Sequence, residues 1–279
     1  MAKRILFFGD SITDACRRED IFCGMGAGYA TMVNGELGAE YPNEYEFINM
    51  GIGGHRVVDL YARLKSDFLN HKPDFASIYC GVNDCWHEIL YQNGVNTPKF
   101  EKVYQIMLDE ILEELPNIKL ILIAPFVVEG RCTCNTEEMP DRLKRFEVEV
   151  AEKAEAVKKI GKKYNLPVID LQPIFDEACK VAPPTYWTTD GVHPMIAGHT
   201  LIKNAWIKEF KKLKVGDKVI TAGGIYGKIK EIGDLYMVIE IANGVNIRID
   251  KTVKESSEKV FEELGLNMTT AVNIFKTSN

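Results

Sequence analysis

Long apolar segments are absent from this chain. Its N-terminal apolar run, Ile5–Phe8, is far shorter than the apolar core of a signal peptide. No stretch approaches the roughly 20 apolar residues that a membrane-spanning helix needs. We therefore expect a cytoplasmic protein with no membrane association.

Cysteine and basic residues are also scarce. The seven cysteines among 279 residues are odd in number and scattered, and Cys132 and Cys134 are the closest pair. They form neither the paired Cys-x-x-Cys units of a zinc site nor a disulfide framework. Lys and Arg number 34 against 40 Asp and Glu, which gives a net charge of -6. The sequence thus predicts free thiols and no metal, and its acidic charge argues against nucleic acid as a partner.

Short apolar runs alternate with longer helical patterns over the first 212 residues, as in βαβ units and a parallel sheet. Each run ends near Gly, Asn, Asp or Pro, where a strand would stop. We therefore predict an α/β fold, a flavodoxin-like three-layer α/β/α sandwich around a five-stranded parallel sheet. The predicted strands are Ile5–Phe8, Glu46–Asn49, Phe75–Cys80, Lys119–Ile123 and Val168–Asp170.

The helical patterns carry apolar stripes and no chemistry of their own. Apolar residues spaced by three and four from Phe100 to Leu115 predict a core-facing helix that stops at Pro116. The segment Pro140–Tyr164 is rich in Lys, Glu and Ala and reads as a helix with a solvated face. The fourth predicted strand is followed by a long connection, Pro125–Pro140. A loop next to the end of a strand usually shapes a site.

The composition and residue pattern of the sequence change near Leu213. Glycine pairs and alternating β-branched residues follow as far as Asp250 and predict short antiparallel strands with glycine turns. The segment Ser256–Leu264, followed by Gly265 and then Asn267, predicts a helix, its C-cap and a second helix. We therefore expect a small C-terminal appendage that is β-rich and then helical.

One motif near the N-terminus organises the rest of the chain. The predicted strand Ile5–Phe8 runs directly into Gly9, Asp10 and Ser11. Ser11 would then lie at the carboxyl edge of the sheet, where such sheets place their ligands and where a nucleophile has access to them. The alternative is that Asp10 and Ser11 only cap the next helix.

Three further motifs follow other predicted strands. Asn49–Gly54 is rich in glycine, Gly81–Asp84 carries an amide side chain, and Thr189–Pro194 places Asp190 and His193 three apart on a turn. Each motif is weak alone, because glycine turns, capping amides and structural histidines are common.

Together the motifs supply the groups that acyl transfer requires, namely a nucleophile, a base, an orienting acid and oxyanion donors. Ser11, His193 and Asp190 fit the first three roles. The backbone amides of Ser11 and Gly54 and the side-chain amide of Asn83 fit the oxyanion hole.

The four motifs, in this order and spacing, resemble the blocks of the SGNH, or GDSL-type, hydrolases. The resemblance covers about residues 1–212. It implies a flavodoxin-like fold, ester hydrolysis without a metal or other cofactor, and the roles given above for Ser11, Gly54, Asn83, Asp190 and His193. We therefore expect a serine esterase whose Ser-His-Asp triad forms an acyl-enzyme.

Neighbouring stretches resemble the bacterial intracellular acetyl-xylan esterases, including Asp14–Arg17, Arg56–Leu60 and Ala124–Phe126. This implies O-deacetylation of sugars, a small acetylated carbohydrate as substrate and a homo-oligomer. Thr189 stands where those enzymes are expected to carry Trp, and that difference concerns the leaving-group pocket. The candidates for substrate binding are Asp10, Arg17, His55, Trp86 and His87. The alternative is packing for Trp86 and a surface position for the two histidines.

The appendage resembles two other families. Residues 213–250 resemble the small β domain of the YajC family, without its membrane helix, and residues from about Val245 resemble the RelB/DinJ ribbon-helix-helix antitoxins in truncated form. The chain is therefore interpreted as a composite, or fusion. Two alternative functions remain open: a lysophospholipase or thioesterase of the GDSL type, and a binding or regulatory protein that acts through the C-terminal tail.

Overall fold

The computed structural model describes residues 2–21, 23–213, 218–220, 226–232 and 236–250. The chain divides into two compact units, Met1–Glu209 and Phe210–Asn279. The first contains a parallel sheet with helices and the second an antiparallel sheet. Each unit is described by itself.

A five-stranded sheet forms the centre of the first unit. Its strands follow the order β2-β1-β3-β4-β5, and every neighbouring pair is parallel. This is the flavodoxin-like order, so the predicted fold is confirmed. The strands are β1 (Lys3–Gly9), β2 (Tyr45–Gly51), β3 (Phe75–Tyr79), β4 (Lys119–Ala124) and β5 (Val168–Asp170).

The helices begin and end where local sequence signals place them. The helix predicted around Phe100 begins after Asn96, whose side chain accepts a hydrogen bond from the Lys99 N–H, and it ends before Pro116. The helices are α1 (Ser11–Asp14), α2 (Tyr29–Glu40), α3 (Val57–Ala62), α4 (Leu64–Asp67), α5 (Val82–Tyr91), α6 (Thr97–Glu114), α7 (Arg142–Tyr164), α8 (Leu171–Val181), α9 (Pro184–Trp187) and α10 (Ile196–Leu213), with one 3₁₀ turn at Leu69–His71.

Both faces of the sheet are covered, which is why the central strands are apolar throughout rather than alternating. Phe7 of β1 packs on one face against Tyr29 of α2 and Trp206 of α10, at ring-centroid distances of 5.7 and 5.3 Å. Its neighbours Leu6 and Phe8 point to the other face, into a core built mainly from α3, α6 and α7. Helices on both faces give the three-layer α/β/α sandwich.

Parallel pairing brings the ends of three strands together. In the sheet register, Gly9 at the end of β1 lies beside Gly51 of β2 and Tyr79 of β3. The segments that follow these glycines and this tyrosine therefore leave the sheet at one edge. Ser11, Gly54 and Asn83 belong to those segments.

The second unit contains a four-stranded antiparallel sheet in sequential order. Asn243 and Gly244, which has a φ of 77°, connect its last two strands, as in a tight two-residue hairpin. The predicted β-rich appendage is thus confirmed, whereas the two helices predicted at Ser256–Leu264 and from Asn267 lie outside the described residues. The strands are β6 (Lys218–Ile220), β7 (Tyr226–Ile232), β8 (Tyr236–Ala242) and β9 (Val245–Asp250).

None of the helices in the described residues combines the length and the apolar character needed to cross a membrane.

Candidate active site

Ser11 lies at a sharp turn between β1 and α1. Asp10 caps α1, because its Oδ1 accepts a hydrogen bond of 3.0 Å from the Ile12 N–H. Gly9 has to be glycine, since a Cβ there would lie 2.6 Å from the carbonyl oxygen of Tyr79. The capping role that the sequence offered as an alternative therefore holds for Asp10, while the Ser11 side chain is left to make other contacts.

Ser11, His193 and Asp190 form a continuous chain of hydrogen bonds. Ser11 Oγ lies 2.8 Å from His193 Nε2, and His193 Nδ1 lies 2.8 Å from Asp190 Oδ2. The other carboxylate oxygen, Asp190 Oδ1, accepts from the backbone N–H groups of Val192 and His193 at 3.1 and 2.9 Å. The carboxylate thus fixes the imidazole and its own turn at the same time. This arrangement can remove a proton from the serine hydroxyl.

The surroundings of Asp190 favour its charged form. Burial opposes ionisation of Asp190, but the hydrogen bonds that it accepts from His193 and Val192 outweigh burial and lower its pKa from 3.8 to about 2. The hydrogen bond to Asp190 raises the pKa of His193 above the ordinary 6.5, and burial opposes this rise. The negative charges of Asp190 and Asp10 favour the imidazolium further. A proton accepted from Ser11 is therefore stabilised on the imidazole.

The loop after β4 holds the Asp-His turn in place. Its Val128 N–H donates to the carbonyl of Gly191 at 2.9 Å, and its Cys132 N–H donates to the carbonyl of Asp190 at 3.1 Å. Gly191 has a φ of 109°, and a Cβ there would clash with Thr133 of the same loop at 2.2 Å. The long loop predicted to shape a site thus does so by supporting the turn.

Two backbone N–H groups, those of Ser11 and Gly54, have no acceptor of their own among the described residues. Asn83 Nδ2 donates to the His55 carbonyl at 3.2 Å, which leaves its second hydrogen available. A Cβ on Gly53 would come within 3.8 Å of the Ser11 Cβ, so this turn passes close to the serine. These are the groups an oxyanion hole needs.

One of the candidate substrate-binding residues, Trp86, lies next to this chain of hydrogen bonds. Its half-buried ring meets His193 edge-on, at a centroid distance of 6.5 Å, and packs against Phe146 of α7 at 5.3 Å. Trp86 therefore forms a wall beside the imidazole.

Arg17 and His55 are engaged within the protein. Arg17 Nε donates to the Gly51 carbonyl at 2.6 Å. His55 Nδ1 accepts a hydrogen bond of 3.1 Å from Arg63 Nε. Both side chains thus support the turn that carries Gly54, and both keep part of their surface exposed.

His87 and Asp10 make other contacts. The His87 ring packs edge-on against Tyr91 at 5.7 Å, and burial lowers its pKa. Asp10 is 0% exposed, and burial raises its pKa from 3.8 to about 7. The prediction that Asp10 contacts substrate does not fit this burial, because no part of Asp10 is exposed.

Asp84 is a supporting residue to which the sequence assigned no role. It is fully buried, and both of its carboxyl oxygens lie 3.2 Å from the donating N–H of Val57, three residues after Gly54. Burial raises its pKa to about 8. Its position beside Asn83 in the Gly81–Asp84 motif was the signal that could have found it.

All seven cysteines are free. Among the residues that the structure describes, no group of three or more His, Cys, Asp or Glu side chains could hold a metal ion.

Comparison with known proteins assigns most of the chain to one family. Residues 7–201 match the GDSL-like Lipase/Acylhydrolase family. An acetylxylan esterase of Geobacillus stearothermophilus is 35% identical over 217 residues, which are 74% of this chain and 93% of that enzyme. The crystal structure of an acetylxylan esterase from this organism superposes with a TM-score of 0.62 at 33% identity, covering 74% of this chain and 93% of that one. An α/β hydrolase from the metagenome of Lake Arreo, Spain, gives 0.63 at 27% identity, covering 75% and 95%.

A second similarity covers the end of the first unit and the antiparallel sheet. Residues 203–254 match a family described as preprotein translocase subunit. The Sec translocon accessory complex subunit YajC of Borreliella burgdorferi is 40% identical over 53 residues, which are 19% of this chain and 48% of that protein.

The hydrogen bond from Asp190 should control the titration of His193. We expect the His193 imidazole to titrate above 6.5 in the native protein. In Asp190→Asn the charged acceptor is lost while burial remains, so the pKa of His193 should fall below 6.5. An NMR titration of the histidine ring resonances from about pH 4 to about pH 9 measures the pKa of His193 in both proteins. His87 serves as the internal reference, and an unchanged His193 midpoint in the variant would contradict the prediction.

Proposed function

Because the chain belongs to the GDSL-like lipase/acylhydrolase family, we propose that it is a serine esterase that hydrolyses short-chain acyl esters. The proposed substrates are acetyl esters of carbohydrate hydroxyls. The observation that carries the proposal is the continuous hydrogen-bond chain from Ser11 through His193 to Asp190. The similarity to an acetylxylan esterase supports an acetylated carbohydrate as the substrate.

Ser11, His193 and Asp190 have distinct parts in the proposed reaction. Ser11 Oγ attacks the ester carbonyl carbon while His193 Nε2 takes the hydroxyl proton. His193 returns that proton to the departing alcohol oxygen, which leaves an acyl-enzyme on Ser11. Water then attacks the acyl carbon while His193 takes its proton. Return of that proton to Ser11 Oγ breaks the acyl–Oγ bond, releases the carboxylic acid and regenerates the serine. Asp190 holds the required tautomer and stabilises the imidazolium throughout.

The oxyanion formed in each step needs donors aimed at one point. We assign this role to the N–H groups of Ser11 and Gly54 and to the side-chain amide of Asn83. Such donors act most strongly where negative charge develops, so they lower the barrier more than they strengthen substrate binding.

Structures of the Geobacillus stearothermophilus esterase support the assignment of the triad. Those described as catalytic mutants carry alanine for one serine, one aspartate or one histidine. The replaced aspartate and histidine lie three positions apart in that enzyme, as Asp190 and His193 do here. A tryptophan directly precedes that aspartate, where this chain has Thr189. The leaving-group side of the site should therefore be wider here.

Several sequence predictions remain proposals. Residues 1–212 would form the hydrolase domain, 213–250 a small YajC-like β domain and 251–279 a helical, truncated antitoxin-like tail. Trp86, Arg17, His55 and His87 remain candidates for lining a sugar-sized pocket, with Trp86 the best placed because of its contact with His193. A homo-oligomer in the cytoplasm remains the expected state.

The acyl-length dependence of hydrolysis tests the proposed function. We expect p-nitrophenyl esters from acetyl to decanoyl to be hydrolysed fastest at acetyl, equally by the full chain and by residues 1–212, and not by Ser11→Ala. Rates that rise with chain length would favour the lysophospholipase or thioesterase alternative. The absence of Ser11-dependent hydrolysis in both lengths would favour a binding protein that acts through its C-terminal tail.

Asn83→Ala tests the oxyanion hole. The variant loses one donor that acts mainly in the transition state, so kcat should fall on the order of 100-fold to 1000-fold with little change in KM. Steady-state kinetics on p-nitrophenyl acetate measure both constants. Asn117→Ala, in the exposed turn that precedes β4 at the opposite edge of the sheet, is the matched control and should keep its kcat. A loss of less than about fivefold in Asn83→Ala would contradict the assignment.

A further inference from the structure

The turn between β2 and α3, residues 52–56, carries the proposed donor Gly54 and lies outside regular structure. Gly54 has a φ of 79°, which is accessible to glycine at little cost. Ile52 N–H donates to the Gly9 carbonyl at 3.1 Å and ties the start of the turn to β1. The direction of the Gly54 N–H therefore depends on how firmly side chains hold the rest of this turn.

Arg63 connects this turn to the ends of two strands. Its Nη2 donates to the carbonyl of Gly9 at 2.8 Å and its Nη1 to the carbonyl of Met50 at 2.7 Å. Its Nε donates to His55 Nδ1 at 3.1 Å. One planar group thus spans the end of β1, the end of β2 and the residue directly after Gly54.

The environment of Arg63 keeps its guanidinium fixed. Its side chain is only 10% exposed, and its guanidinium lies over the Phe8 ring at 4.4 Å. Asp67, one helical turn further along, balances the charge at 3.1 Å from Nη1. A guanidinium presents several donors in fixed directions, whereas a lysine ammonium is a single flexible point charge.

His55 receives two restraints from different directions. Arginine is only a donor, so His55 Nδ1 has to be the unprotonated nitrogen and the ring hydrogen resides on Nε2. The backbone carbonyl of His55 accepts from Asn83 Nδ2 at 3.2 Å. The residue that follows Gly54 is therefore held through its side chain by Arg63 and through its backbone by Asn83.

We propose that Arg63 is a positioning residue that holds the Gly54 N–H toward the oxyanion formed at Ser11, through its hydrogen bonds to Gly9, Met50 and His55. This role rests on the proposed esterase function. Arg63 itself does not contact the reacting atoms. Its loss should affect the transition state, in which the oxyanion is fully formed, more than the binding of substrate.

Replacement of Arg63 tests this role in the full-length protein. In Arg63→Ala, kcat on p-nitrophenyl acetate should fall by about tenfold or more while KM changes less than about threefold. Arg63→Lys should recover only part of the loss, because an ammonium group cannot reach the same acceptors in the same geometry. Thermal unfolding of each variant shows that the protein assayed is folded.

Arg4→Ala is the matched control. Arg4 also donates to a carboxylate and to a backbone carbonyl, those of Glu46 and His71, but it lies at the start of β1, away from the site. Its removal should leave kcat within about twofold, even where both variants lower the unfolding midpoint equally. An equal loss of kcat in Arg4→Ala and Arg63→Ala would overturn the positioning role in favour of a general structural one.

The failure of this inference can be distinguished from failure of the proposed function. Native protein that hydrolyses the ester no faster than Ser11→Ala would overturn both. Active native protein together with a folded Arg63→Ala of unchanged kcat would overturn the role of Arg63 alone. If Arg63→Ala does not fold, Arg63→Lys carries the test, and full kcat in that variant would overturn the role.

Discussion

Parallel pairing of β1 with β2 and β3 is the constraint on which the rest of the site depends. It places Gly9, Gly51 and Tyr79 side by side, so the segments after three distant strands emerge at one edge. Ser11, the Gly54 turn and Asn83 then need only short connections to lie near each other. The strands bury both faces, which makes this edge rigid, and the functional groups occupy turns that a rigid sheet supports.

Local patterns in the sequence were sufficient to predict the fold. Apolar runs that end near Gly, Asn, Asp or Pro located all the strands of the parallel sheet, within two residues at every end. The four motifs that follow predicted strands indicated five residues that the structure brings to one region: Ser11, Gly54, Asn83, Asp190 and His193. These features are visible because each one is encoded by neighbouring residues.

The supporting contacts were not predictable, because they join residues that are distant in the chain. Asp84 meets Val57 and Arg63 meets Gly9 only after the helices have packed, and the sequence pattern shows neither contact. The burial of Asp10 was not predictable for the same reason, since it follows from tertiary packing. A motif thus indicates which groups meet at a site, whereas packing decides which of them a ligand reaches.

The account depends most on Ser11 as the residue that receives the acyl group. Acid quenching of the full-length protein during turnover of p-nitrophenyl acetate, followed by peptide mass spectrometry, tests this directly. The account predicts an acetyl group on the peptide that contains Ser11, absent from Ser11→Ala. Hydrolysis that continues without any adduct on Ser11, and that survives in Ser11→Ala, would contradict it.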